Sequence, residues 1–123
     1  MKIEKLEDFT NEQLAEKFVE LSREMGMAVL DSETRKFNKM FPIMQRIDMI
    51  LRARGREARL VLLPLLESDD RFVRYYAAKY LLGLVPAPAR AVIEDIARYK
   101  YDALCGHAGM CLYALDKGIF RPD

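Results

Sequence analysis

Apolar residues recur along most of this chain at the three-and-four spacing of helix faces, and no stretch alternates as a strand does. The first predicted helix has a complete start signal. Thr10 can cap it, Gln13 can close a capping box, and Phe9 and Leu14 stand where a hydrophobic staple needs them. Leu14, Phe18, Leu21 and Met25 then mark one face. Gly26 weakens the far end by about 1 kcal/mol relative to alanine, so the helix ends there or runs on to Leu30. Asp31 or Ser32 can cap a second helix, on which Phe37, Met40, Phe41, Met44, Ile47, Ile50 and Leu51 form a buried stripe. Pro42 falls inside that stripe. It has no N–H to donate and disfavours helical geometry at Phe41, which predicts a helix kinked or split there. Gly55 stops the helix, and Arg52 and Arg54 suit the negative end of its dipole.

Residues 60–84, LVLLPLLESDDRFVRYYAAKYLLGL, are the most strongly patterned segment. A third helix runs from about Arg56 to Glu67 with Pro64 inside it, and an acidic turn follows. The fourth starts near Asp69 or Asp70, carries Val73, Ala77, Tyr80, Leu81 and Leu84, and is ended by Gly83 and Pro86. Pro88 fits the first turn of a fifth helix bearing Val92, Ile93 and Ile96. Asp102 can cap a sixth bearing Leu104, Ala108, Leu112 and Leu115, with Gly118 at its end. A shift of 31 residues lays Leu62 on Ile93, Leu65 on Ile96, Leu66 on Ala97, Val73 on Leu104, Ala77 on Ala108 and Leu81 on Leu112. A shift near 30 relates Ile43, Ile47 and Leu51 to Val73, Ala77 and Leu81. Such a period in a helical chain predicts a solenoid whose hairpins bury their apolar faces against one another.

Pro64 in the first helix of the hairpin, Ser68-Asp69-Asp70 in its turn, and Val73-Arg74 with Ala77-Ala78 in its second helix resemble a HEAT-type repeat. Over residues 90–117 Cys105 stands in place of the arginine and Tyr101-Asp102 in place of the acidic pair; the N-terminal hairpin departs further. The whole chain looks like a small bacterial family of uncharacterised HEAT-like domains. That resemblance implies an all-α fold, a short armadillo-type α-α superhelix of about six helices in three right-handed hairpins, with residues 1–123 as one domain. It implies no activity, because fold does not dictate function. In the related repeats the turn acid and the helix arginine tie neighbouring units together, giving Asp69 or Asp70 with Arg74 a structural role.

At 123 residues and 51% apolar content the chain can bury a core without disulfide or metal staples. Twenty Lys and Arg face nineteen Asp and Glu, so no global field draws it to nucleic acid or to an anionic membrane. The N-terminus mixes acids with lysines and lacks the apolar core of a signal peptide, while the run from Leu60 to Leu66 is too short to span a bilayer. The expectation is a soluble cytoplasmic protein. Cys105 and Cys111, six positions apart on one helix, would stand about 9 Å from each other, too far for a disulfide, and are expected to be free thiols.

Candidate chemistry is sparse. His107 and Cys111 share a helix face at the spacing of a nucleophile and its base or of two metal ligands, but no second histidine exists and Cys105 points elsewhere. The shift lays them on Tyr76 and Tyr80, which reads more simply as packing or groove lining. No catalytic residue, metal site or cofactor is expected. All six tyrosines (Tyr75, Tyr76, Tyr80, Tyr99, Tyr101 and Tyr113) fall between residues 75 and 113, interleaved with Arg71, Arg74, Lys79, Arg90, Arg98 and Lys100. Tyrosine and arginine carry protein interfaces, and together they also stack on bases and hold phosphates; the plainer reading packs the tyrosines between repeats. Residues 35–59 hold eight basic side chains against Asp48 and Glu57, whereas Glu12, Glu16, Glu20 and Glu24 make the first helix acidic. Solvated faces with some pairing between helices account for both. Five of seven methionines lie between Met25 and Met49, where they fill a core or line a groove.

The function these features favour is a non-catalytic protein-binding adaptor or immunity-like inhibitor. Its expected surface is the one formed by the second helices of each hairpin, with Arg71, Arg74, Tyr75, Tyr76, Lys79, Tyr80, Tyr99, Tyr101 and His107 as contact residues. Nucleic-acid binding through the basic stretch is the alternative.

Overall fold

The computed structural model describes residues 5–99 and 103–123, and among them every regular element is helical. A 3-10 turn at Leu6–Asp8 leads into α1 (Asn11–Leu30), α2 (Thr34–Arg54), a third helix, α4 (Arg71–Leu81), α5 (Pro86–Arg98) and α6 (Ala103–Asp116). The third helix is composite. Its first turn, α3 (Arg56–Arg59), is α-helical, and Leu60–Glu67 continues as 3-10 helix rather than as the uniform helix expected. Pro64 has no N–H to return to Leu60 and its ring crowds that carbonyl, so the tighter winding takes over. No helix of the described residues is long and apolar enough to cross a membrane.

The caps explain most boundaries. Thr10 and Gln13 form the reciprocal capping box, and the helix they open runs to Leu30 without stopping at Gly26. Leu14 is fully buried, and Phe9 packs half-buried against the core. Asp31 and Ser32 do not cap α2. They close α1 instead: Ser32 takes a left-handed conformation (φ 56°), its N–H reaches the Val29 carbonyl, and the Glu33 N–H reaches back to Ala28 at 2.8 Å. This is a Schellman turn, and α2 starts only after it, with Glu33 at the cap position making no side-chain capping bond. α2 is not split at Pro42. The proline and Asn38, whose carbonyl it leaves without a donor, are both exposed, so water can serve that group. Asp70 caps α4 through the N–H groups of Phe72 and Val73. α5 begins at Pro86, and Pro88 falls in its first turn as expected. The proposed cap of α6, Asp102, lies outside the described residues.

α1 packs along α2, α4 packs against both the 3-10 segment and α5, and α5 packs along α6. α1 also crosses onto α4, the 3-10 segment and α6, so the first helix covers the later pairs while α2 packs chiefly on α1 and α3. Gly26 marks the crossing: a Cβ there would lie 2.3 Å from the Phe72 ring, so the two helices meet where only a hydrogen fits. The 31-residue correspondence survives as burial. Each of its paired positions is buried or half-buried, with Val73, Ala77, Ile93 and Ala108 fully so. The offset near 30 holds less well, because Ile43 is exposed where Val73 is buried.

Candidate functional site

α6 carries Ala103, Gly106, His107, Met110, Cys111 and Ala114 on one stripe, since these positions follow one another by one, three or four residues. The stripe faces α4, whose Tyr75 and Lys79 are one turn apart, and between them lies a cleft of about 700 Å³. Phe120 closes its end. It is brought there by Gly118, whose left-handed backbone (φ 73°) lets the N–H groups of Gly118 and Ile119 return to Leu115 and Ala114 as α6 stops. A second hollow of about 420 Å³, between the α1–α2 turn and the start of α6, shares Ala103 and His107 with the cleft. The imidazole therefore stands on the ridge between two concavities.

Burial sets the chemistry of the floor. Tyr75 is 3% exposed, its ring meets Tyr76 edge-on at 5.3 Å, and its hydroxyl donates to the His107 carbonyl at 3.3 Å, tying α4 to α6. Burial pushes the Tyr75 hydroxyl above its usual range and Tyr76 up to about 12. The Cys111 thiol is pushed up by the same cause, although Lys79 and Arg90 oppose it. A nucleophile or metal ligand needs the opposite shift, and among the described residues no group of three His, Cys, Asp or Glu side chains is placed to hold a metal ion. Both cysteines are free.

The residues read from sequence as one contact row are distributed among three places. Tyr75, Tyr76 and Tyr80 belong to the core, since α1 lies across α4; Tyr80 meets Phe18 edge-on at 5.9 Å and burial raises its hydroxyl as well. The buried rings of Tyr75 and Tyr76 are not exposed anchors. Arg71, Arg74 and Tyr99 line a separate hollow beside Asp95 and Cys105. There Arg71 lies over the Phe72 ring, and Arg74 donates to the Ser68 carbonyl at 2.6 Å. The turn acid makes its ion pair with another partner than Arg74: Asp70 meets Arg23 of α1 at 3.6 Å. Only Lys79 and His107 reach the cleft as polar rim groups, and Tyr101 lies outside the described residues. Of the missed lining, Gly106 and Met110 had one signal in the sequence, a sixth helix apolar on nearly every side, and Phe120 beyond that helix had none.

The basic stretch is largely spoken for within the chain. Arg46 pairs with Glu7, whose carboxyl that contact holds below its ordinary range. Arg54 donates to Asn11 and to the Glu7 carbonyl, and Arg52 meets Asp48 at 2.7 Å. Arg59 donates to the carbonyls of Tyr80 and Asp123. The segment ending at Asp123 crosses α4's end so closely that a Cβ on Gly83 would overlap the Asp123 backbone.

Residues 12–116, most of the chain, match a domain of unknown function, DUF2019. The chain belongs to the DUF2019 family. The DUF2019 fold is also seen in the crystal structure of the protein RPA1889 from Rhodopseudomonas palustris CGA009, which is 36% identical over 99% of this chain and 100% of that one, with a TM-score of 0.89. Among curated proteins none matches this DUF2019 chain. Its function is unknown, and neither the family nor the neighbour points to catalysis.

Proposed function

We propose that this chain is a non-catalytic protein-binding domain, a HEAT-like superhelical scaffold of the bacterial cytoplasm that holds its partner along α6 as an adaptor or inhibitor does. One observation carries the reading. α6 is apolar on every side, with His107 and Asp116 its only strongly polar side chains, yet only Leu104, Ala108 and Cys111 are buried. A helix of that composition is normally covered all round. Here Met110 is 69% exposed, Tyr113 55%, and Ile119 just beyond the helix 72%. Exposed large apolar side chains concentrated in one short stretch of this kind favour a partner site.

The raised Cys111 thiol favours a binding role over a nucleophilic one. Nucleic-acid binding loses support because Arg46, Arg52, Arg54 and Arg59, half of the eight basic residues in its stretch, are engaged by the chain itself. The test is affinity capture from the native host with wild type and with Met110→Glu/Tyr113→Glu, prey identified by mass spectrometry. Specific prey lost by the double variant, with unchanged thermal unfolding, is the expected result; identical capture by both would sink the reading.

A further inference from the structure

The cleft between α4 and α6 has a composition that fits a smaller occupant. We propose that it binds a monocarboxylate with an apolar body, an aliphatic or aryl acid whose carboxylate pairs with Lys79 and whose body lies along Met110, Ala114 and Phe120. This does not rest on the protein-binding reading, because such a ligand needs no partner protein.

Three features of the cleft carry the inference. Its volume, about 700 Å³, is that of a small-molecule site, and its walls are mainly apolar with a few placed polar groups. None of its nine lining side chains among the described residues is acidic, while Lys79 and His107 stand at the rim. A single ammonium beside one imidazole suits one carboxylate; a phosphate is usually met by an arginine fork or by several backbone N–H groups. Gly106 keeps the middle of the cleft open, since a Cβ there would meet nothing within 4 Å. In the preceding repeat the equivalent position, 31 residues earlier, is Tyr75, whose ring fills its own space.

The experiment is an amide-shift NMR titration of the full chain with sodium decanoate below its micelle concentration, alongside decan-1-ol and decyltrimethylammonium. Decanoate should shift the amides of Gly106, His107, Met110 and Cys111 saturably, with both other probes at least about tenfold weaker, the scale of one charge-assisted contact. Lys79→Gln should weaken decanoate by about the same factor and leave decanol unchanged. Gly106→Leu, which fills the open space, should abolish decanoate binding without lowering the melting temperature. The proposal is overturned by no saturable shift, by shifts that map elsewhere, by equal affinity for decanol, or by full decanoate affinity in either variant. Identical protein capture by wild type and the Met110/Tyr113 variant, which would sink the protein-binding reading, would leave all these outcomes unaffected, so the two readings fail separately.

Discussion

Gly26 of α1 and Phe72 of α4 are in direct contact, with the ring occupying the volume that any side chain at residue 26 would need. Alanine is the better helix former by about 1 kcal/mol, but overpacking a crossing of this kind costs about 1–3 kcal/mol. Gly26→Ala should therefore destabilise the protein in urea unfolding, and Phe72→Leu in the same chain should recover part of the loss. A stabilised Gly26→Ala would show that the crossing is looser than described.

Gly106 offers the opposite case within the same fold. It is helical, exposed and free of any neighbour that a Cβ would touch. Gly106→Ala should stabilise by about 0.5–1 kcal/mol, the ordinary gain from replacing glycine in a helix interior. Running both variants side by side separates propensity from packing.

Ser32 sits in the left-handed region at the end of α1, where a residue with a Cβ is strained. Ser32→Gly should raise stability by about 0.5–1 kcal/mol, since it keeps both hydrogen bonds of the Schellman turn and removes the strain. Loss of stability would mean that the serine hydroxyl serves the turn.

Asp70 both caps α4 and meets Arg23. Asp70→Ala should cost about 0.5–2 kcal/mol, mostly from the cap. Arg23→Ala should cost less than about 1 kcal/mol, because that ion pair is largely exposed and screened by solvent. Equal losses from the two variants would put the energy in the pair rather than in the cap.

Tyr76 keeps its proton up to about 12 when folded and would release it near 10 when unfolded. For an acid whose folded pKa is raised, the folded state holds the extra proton, so stability is intact below pH 10 and falls as pH rises above it. Each such tyrosine contributes a slope of about 1.4 kcal/mol per pH unit in that window. Absorbance at 295 nm should show Tyr76 ionising only together with cooperative unfolding.

Helix content and most of the core were legible because they depend on local rules. Thr10 with Gln13, Gly55 and Gly118 are read from a few neighbouring residues, and the structure has them in those roles. The periodic apolar positions from Leu14 to Ala108 are likewise buried or half-buried, Ile43 excepted. What failed was long-range or doubly readable. Asp31-Ser32 serves equally as an N-cap or as a helix-closing turn in a one-dimensional reading, and only the left-handed backbone at Ser32 decides. Tyr75 and Tyr76 were misplaced for a different reason: composition records that a side chain suits an interface without recording whether the fold already covers it. The cleft was half legible. Its His107 and its correspondence with the tyrosines were visible in the repeat, but Phe120 arrives only through the reversal at Gly118.

The contact of α1 with α6 joins the two ends of the described helices. In an array where each unit touches only its neighbours, folding can start anywhere and spread, and a terminal unit can be trimmed with modest loss. A chain whose first helix rests on its last must close a loop of nearly its full length before those contacts form, which raises its contact order and slows folding. It should then unfold in one step, and deleting α6 should strip α1 of part of its cover rather than simply shorten the stack.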